Sequence, residues 1–169
     1  MLSINNILVP TDFSEGSMHA VRYAVEFANK FDATLRLFHV LELPPGLTPG
    51  AIIHPDPDGR VLSLQEYLQE LSTDKFNQLQ AYLEGKGVRS TFDVAEGPPH
   101  EAIVKAAEDK SVDMIVMGTH GRTGLKHFFM GSTAERVVRY AGCPVTIVRI
   151  NDDDELTEEQ LLLLVESEA

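Results

Sequence analysis

The 169-residue chain has no tryptophan and a single cysteine, Cys143. One cysteine cannot close an internal bridge, so a disulfide framework is excluded and a reducing, cytoplasmic setting is expected. Long apolar runs are missing as well. No stretch approaches the roughly 18 apolar residues a membrane span needs, and residues 1–10 carry no basic segment followed by a small-residue cleavage site. Positive charge is scarce: 14 basic residues face 26 acidic ones, for a net charge of −12. Nucleic-acid binders owe their affinity to clustered Lys and Arg, so this balance argues against DNA or RNA as a partner. A small anionic ligand stays compatible with it, because a few backbone N–H groups at a helix start can hold a phosphate whatever the overall charge.

The composition that remains, 43% hydrophobic and 24% charged, is that of one globular domain, and a chain of this length buries about two thirds of its unfolded surface without staples. The charge is uneven. Residues 151–169 hold eight acidic side chains and no basic one, so two thirds of the net negative charge lies in that tail. The reading is a domain over residues 1–150 and an acidic C-terminal tail over 151–169. Within the tail, Thr157 and Gln160 precede Leu161, Leu162, Leu163, Leu164 and Val165. That pattern fits a short helix docked on the domain or on a partner, and equally a solvated terminus that frays.

Along the domain, apolar runs and helical stripes alternate. Ile7, Leu8 and Val9 form a strand that ends in Pro10-Thr11-Asp12-Phe13-Ser14, and Val21, Ala24, Val25 and Ala28 follow at helical spacing. Residues 34–40 read as a β-rich segment carrying Leu35, Leu37 and Phe38, as suits a strand covered on both faces. Residues 43–59 hold five of the nine prolines and read as a surface excursion, closed by a capping box at Ser63 and Glu66. A long helix then carries Leu64, Leu68, Leu71, Leu79 and Leu83, with Gly85 and Gly87 as its stop. Strands over 88–95, 113–117 and 143–148 alternate with helices after Pro98 and from Ser132. The order βαβαβαβαβ predicts right-handed crossovers and an open, Rossmann-like α/β fold: a parallel five-stranded sheet with helices on both faces.

The chemistry concentrates after the fourth strand. Gly118, Gly121 and Gly124 fall within seven residues, where glycine lets backbone amides approach and face an anion. Gly131, Ser132 and Thr133 then open the next helix, where free N–H groups, the helix dipole and two hydroxyls converge. In an open α/β sheet, ligands bind beyond the carboxyl ends of the strands where the strand order reverses. If the first and fourth strands flank that crevice, Asp12 is placed to accept hydrogen bonds from a ribose; its alternative is to cap the first helix together with Ser14. Neither a P-loop nor a dinucleotide fingerprint fits, since the only Gly-Lys pair lacks the required spacing and the first strand is followed by Pro10-Thr11-Asp12-Phe13-Ser14-Glu15-Gly16.

Val9-Pro10-Thr11-Asp12-Phe13-Ser14, together with Gly118-x2-Gly121-x9-Gly131-Ser132, resembles the universal stress protein family in its ATP-binding branch, over about residues 3–150. Met114-Ile115-Val116-Met117, Ala134-Glu135-Arg136-Val137-Val138 and Cys143-Pro144-Val145 are similar to the same family. The resemblance implies a sheet of order 3-2-1-4-5, an adenine nucleotide between the first and fourth strands, and a homodimer joined through the last strand, residues 144–150. Carried over by motif, Asp12 matches the residue that meets the ribose and Val40 the one whose backbone reads adenine. Gly118, Gly121, Gly131 and Ser132 match the phosphate cradle, and Pro10, Thr11, Met117, Arg122 and Thr133 complete the set. The expected ligand is ATP or another adenine nucleotide, with Mg2+ on its phosphates. The expected role is that of a nucleotide-dependent regulatory module in the stress response, acting on an unidentified protein partner. Two alternatives stand beside it: a slow ATP hydrolase or phosphotransferase, and a dimeric scaffold independent of nucleotide.

Other reactive side chains read more plainly. His120 and His127 lack paired carboxylates at ligand spacing and read as loop histidines, so no catalytic or metal-binding residue is assigned. Cys143 sits beside Val145 and Ile147 as a buried, inert thiol. Val145, Ile147 and Ile150 serve either the core or a dimer edge.

Overall fold

In the computed structural model, residues 3–55, 59–119 and 130–149 are described. Among these residues seven strands and four helices follow one another as β1 (Asn6–Pro10), α1 (Glu15–Phe31), β2 (Thr34–Leu41), β3 (Ile52–Ile53), β4 (Leu62–Ser63), α2 (Leu64–Gly85), β5 (Ser90–Glu96), α3 (Pro99–Asp109), β6 (Met114–Gly118), α4 (Ser132–Tyr140) and β7 (Val145–Val148). Five of the strands form one parallel sheet of order β5-β2-β1-β6-β7. Without the short β3–β4 pair, this is the 3-2-1-4-5 order that the family resemblance implies. The chain leaves β1 toward β2 on one side, and leaves β6 toward β7 on the other. The strand order therefore reverses between β1 and β6, the position at which an open α/β sheet forms its ligand crevice, at the carboxyl ends of the strands.

The central strands are largely apolar because helices cover both faces, with Arg36 and the buried His39 as the polar exceptions inside β2. On one face α1 and α2 pack Val21, Ala24, Phe76 and Leu83 against Ile7, Val9, Leu35 and Leu37. On the other, α3 and α4 set Ile103, Ala106, Ala134 and Val137 against Leu8, Phe38, Ile115 and Met117. Odd and even residues of β1 thus serve opposite cores, the period-2 rule of a strand.

Local signals explain most boundaries. Ser14 caps α1 by accepting a hydrogen bond from the Ser17 N–H. The Ser63–Glu66 capping box that the sequence predicts is present in full at the start of α2. Hydrogen bonding to Ser63 holds the Glu66 carboxyl below the usual carboxylate range. Gly87, at φ +72°, carries the chain out of α2 in a backbone region that favours glycine.

Three differences from the sequence reading are physical. The excursion over 43–59 contributes a strand to a two-residue antiparallel pair, Ile52 opposite Ser63 and Ile53 opposite Leu62, too short for a period-2 pattern to register. The buried stripe of α2 runs through Ser72 and Phe76 instead of Leu71, which is exposed; the fit through leucines alone is one residue out of phase. Cys143 is half-buried rather than buried, and desolvation and the Asp113 carboxylate raise its thiol pKa.

Candidate functional site

Six of the sequence-assigned residues lie at or just beyond the carboxyl ends of three adjacent strands. Pro10 ends β1 and Thr11 and Asp12 follow it directly, Val40 lies next to last in β2, and Met117 precedes Gly118 at the end of β6. The pairing of Ile7 with Met114 and Leu8 with Ile115, continued along the strands, sets Pro10 level with Met117. The N–H of Gly131 donates to the carbonyl of Thr119 at 2.8 Å, tying the start of α4 to the end of β6. Gly118, Gly131, Ser132 and Thr133 are thereby gathered at one side of the crevice. Gly121 and Arg122, with Gly124, His120 and His127, lie outside the described residues.

The α4 N-terminus suits an anion. Its N-cap is Gly131, which has no side chain to turn back on the helix, so no side-chain cap claims the amides of the first turn. Ser132 is exposed there and Thr133 half-exposed. The only acidic residue of that turn is Glu135.

The opposite wall is built with more support than the motif discloses. Thr11 is buried, and its N–H donates to the Phe38 carbonyl at 2.8 Å. Its Oγ1 accepts the Phe13 N–H at 3.0 Å and lies 3.0 Å from Ser17 Oγ. Ser17 gives its own proton to the Ser14 carbonyl at 2.9 Å, so the Thr11 hydroxyl is the donor between the two. His39, buried in β2, places Nδ1 2.7 Å from the Thr11 carbonyl. A carbonyl only accepts, so Nδ1 carries the proton of this pair. Asp12 is half-buried, and its Oδ1 accepts from the Ser14 N–H at 3.1 Å and the Ser14 hydroxyl at 2.5 Å. The cap proposed for Ser14 and the carboxylate of Asp12 thus form one local network at the start of α1.

Phe13 turns this loop. It is buried, yet its φ is +61°, a left-handed conformation uncommon for a bulky residue. Such backbone costs of order 1–3 kcal/mol and persists only where packing over-determines it. Here the ring lies 4.8 Å from His39 and 5.3 Å from Phe76 between centroids, with Lys75 Nζ 5.1 Å above it. Motif reading passed over Phe13, Ser17, His39 and Phe76. One signal was available: His39 interrupts the apolar run of β2 on the face shared with Leu35 and Leu37, where a buried polar residue requires a partner.

A family model for the universal stress protein family matches residues 3–149. The chain belongs to the universal stress protein family. Universal stress protein MJ0531 of Methanocaldococcus jannaschii is 36% identical to it over 143 residues, covering 85% of this chain and 81% of the relative. MJ0577 of the same organism, also a universal stress protein, is 32% identical over 85% of this chain and 93% of the relative. The solved structure of MJ0577 superposes with a TM-score of 0.70 at 30% identity, over 88% of this chain and 98% of that one. A universal stress protein in complex with cAMP shares the fold at 21% identity, with a TM-score of 0.60 over 87% and 98% of the two chains.

Proposed function

We propose that this universal stress protein binds an adenine nucleotide, ATP foremost, in the crevice between β1 and β6, and that occupancy regulates what the protein contacts. The observation that carries this reading is the convergence, at the strand-order reversal, of a braced Asp12 loop from one side and an uncapped helix N-terminus from the other. The site residues proposed are Pro10, Thr11, Asp12, Val40, Met117, Gly118, Gly121, Arg122, Gly131, Ser132 and Thr133. The solved complex of a universal stress protein with cAMP accords with a ligand of this class.

The nucleotide supplies negative charge and a ribose diol; the rest is the work of this chain. Asp12 accepts hydrogen bonds from the ribose, and the Val40 backbone offers its amide and carbonyl to the adenine edge. The first-turn amides of α4 and the hydroxyls of Ser132 and Thr133 hold the phosphates. Mg2+, in this reading, would be carried on the phosphates. Regulation requires that two states of the protein differ in nucleotide affinity, because a ligand shifts an equilibrium only by that difference.

The nucleotide domain is taken to span residues 1–150, with 151–169 as an acidic appendage that lies outside the described residues. The homodimer is taken to form through residues 144–150. In support, β7 ends the sheet and pairs only with β6 among the described strands, and Val145, Thr146 and Ile147 are half-buried; an edge strand of this kind is normally covered. The protein is assigned to the cytoplasm, with a protein partner of the stress response. No helix of the described residues is long and apolar enough to cross a membrane.

Native mass spectrometry of the purified protein, followed by calorimetric titration with ATP and AMP, tests the reading. Copurified nucleotide or micromolar binding, lost in Gly131→Val with the fold retained by circular dichroism, is the expected result. Absence of binding by both nucleotides overturns it.

A further inference from the structure

A second concavity lies outside the β1–β6 crevice, over the carboxyl ends of β2 and β5. It is a cleft of about 340 Å³, within the range of roughly 300–1,000 Å³ typical of small-molecule sites. Its apolar walls are Leu41, Leu43 and Leu68 with three prolines, Pro49, Pro98 and Pro99.

The walls are held in place. The Gln65 N–H donates to the Pro49 carbonyl at 3.1 Å, and the Leu64 N–H donates to the Ala51 carbonyl at 2.7 Å, which clamps the proline-rich excursion onto the start of α2. The side chain of Gln65 then reaches across the cleft, where its Nε2 donates to Glu96 Oε1 at 2.5 Å. Proline rings have fixed φ, so little conformational freedom is left for a ligand to remove on binding.

Charge selects the occupant. Glu42 and Glu96 both line the cleft, and among the described residues no Lys, Arg or His does. The α3 N-terminus beside it does not offset them. Pro99 has no N–H to offer at the first helical position, and the Glu101 N–H is already taken by the Pro98 carbonyl at 3.1 Å. An anion there would meet two carboxylates and few donors.

We propose that this cleft binds a small amphipathic cation, a protonated amine on an apolar body, with the body against the leucines and prolines and the ammonium between Glu42 and Glu96. The site goes beyond the nucleotide reading and does not depend on it. It also assigns a purpose to the 43–59 excursion, which a short crossover between β2 and α2 would not need.

The test uses ¹⁵N-labelled full-length protein titrated at pH 7 with hexylamine, hexanol and hexanoate, which share one apolar body and differ in head-group charge. Hexylamine is expected to shift the amide signals of Leu43, Gln65 and Gly97 in a saturable manner. Because the carboxylates are exposed, the preference over hexanoate is expected to be about tenfold, shrinking as salt is added. The double variant Glu42→Gln, Glu96→Gln replaces two exposed side chains, keeps the fold and loses the preference. Equal binding of hexylamine with hexanol or hexanoate overturns the proposal, as do hexylamine shifts scattered over surface carboxylates without saturation at the cleft. A repeat with saturating ATP is expected to leave hexylamine binding unchanged; competitive displacement by ATP would assign the cleft to the nucleotide and overturn a separate site.

Discussion

Thr11→Val replaces a hydroxyl by a methyl at nearly constant volume, in a buried position whose partners are known. Removing the hydroxyl strips the Phe13 N–H of its acceptor, in a residue already held at positive φ. An orphaned buried donor costs about 1–3 kcal/mol. The added methyl recovers about 0.8 kcal/mol through apolar burial. Ser17 still donates to the Ser14 carbonyl, so the damage stays with Phe13. The net loss is therefore about 0.2–2 kcal/mol, and with a mid-range urea slope of about 2 kcal/mol per molar it moves the midpoint down by about 0.1–1 M. Far-UV circular dichroism is the probe of choice, since the chain has no tryptophan. Because the same loop carries Asp12, ATP affinity measured on fully folded protein is expected to fall about tenfold, one 1.4 kcal/mol step. Thr11→Ser is the control that keeps the hydroxyl and should retain ATP affinity. If valine proves as stable as threonine, or if serine loses more nucleotide affinity than valine, the hydroxyl is not what holds the loop and the argument for a braced Asp12 wall fails.

Two further outcomes follow from groups remote from that loop. Ser63→Ala removes the hydroxyl that accepts from the Glu66 N–H and donates to the Glu66 carboxylate, leaving only the backbone half of the α2 capping box, and should lower stability by about 1 kcal/mol at neutral pH in urea unfolding. The Glu66 carboxyl is held below its ordinary value by Ser63, so its contribution is present above the unfolded-state pKa and is lost as pH falls through the folded one. The gap between wild type and Ser63→Ala should accordingly narrow on acidification, and a gap that widens in acid contradicts the assignment. Cys143 should alkylate with iodoacetamide along a pH profile shifted above that of glutathione run alongside, because burial and the Asp113 carboxylate disfavour its thiolate; a profile at or below glutathione would rule out this environment.

How the fold divides between chain and tertiary structure can be seen at particular residues. Apolar runs such as Ile7-Leu8-Val9 and the stripe of α1 signal their own elements, because a strand repeats every 2 residues and a helix every 3.6. The Ser63–Glu66 box and the Gly87 exit are likewise written in a few adjacent letters, since the groups that bond are neighbours in the chain. Gly131 and Ser132 were legible for the same reason: a helix start is a local event.

What no local pattern carries is what joins residues far apart in the chain. The His39–Thr11 bond spans 28 residues, and the Gln65–Glu96 bond spans 31. Phe13 adopts its left-handed turn because His39 and Phe76, from two other elements, pack against its ring. Sequence by itself determined the alternation of strands and helices and the class of fold. Only tertiary packing decided how the Asp12 loop is braced, where the proline-rich excursion lies and that a second, acid-lined cleft exists. Local order follows from backbone geometry over a few residues, whereas a wall or a cleft is made by side chains that meet only after the sheet has brought their strands together.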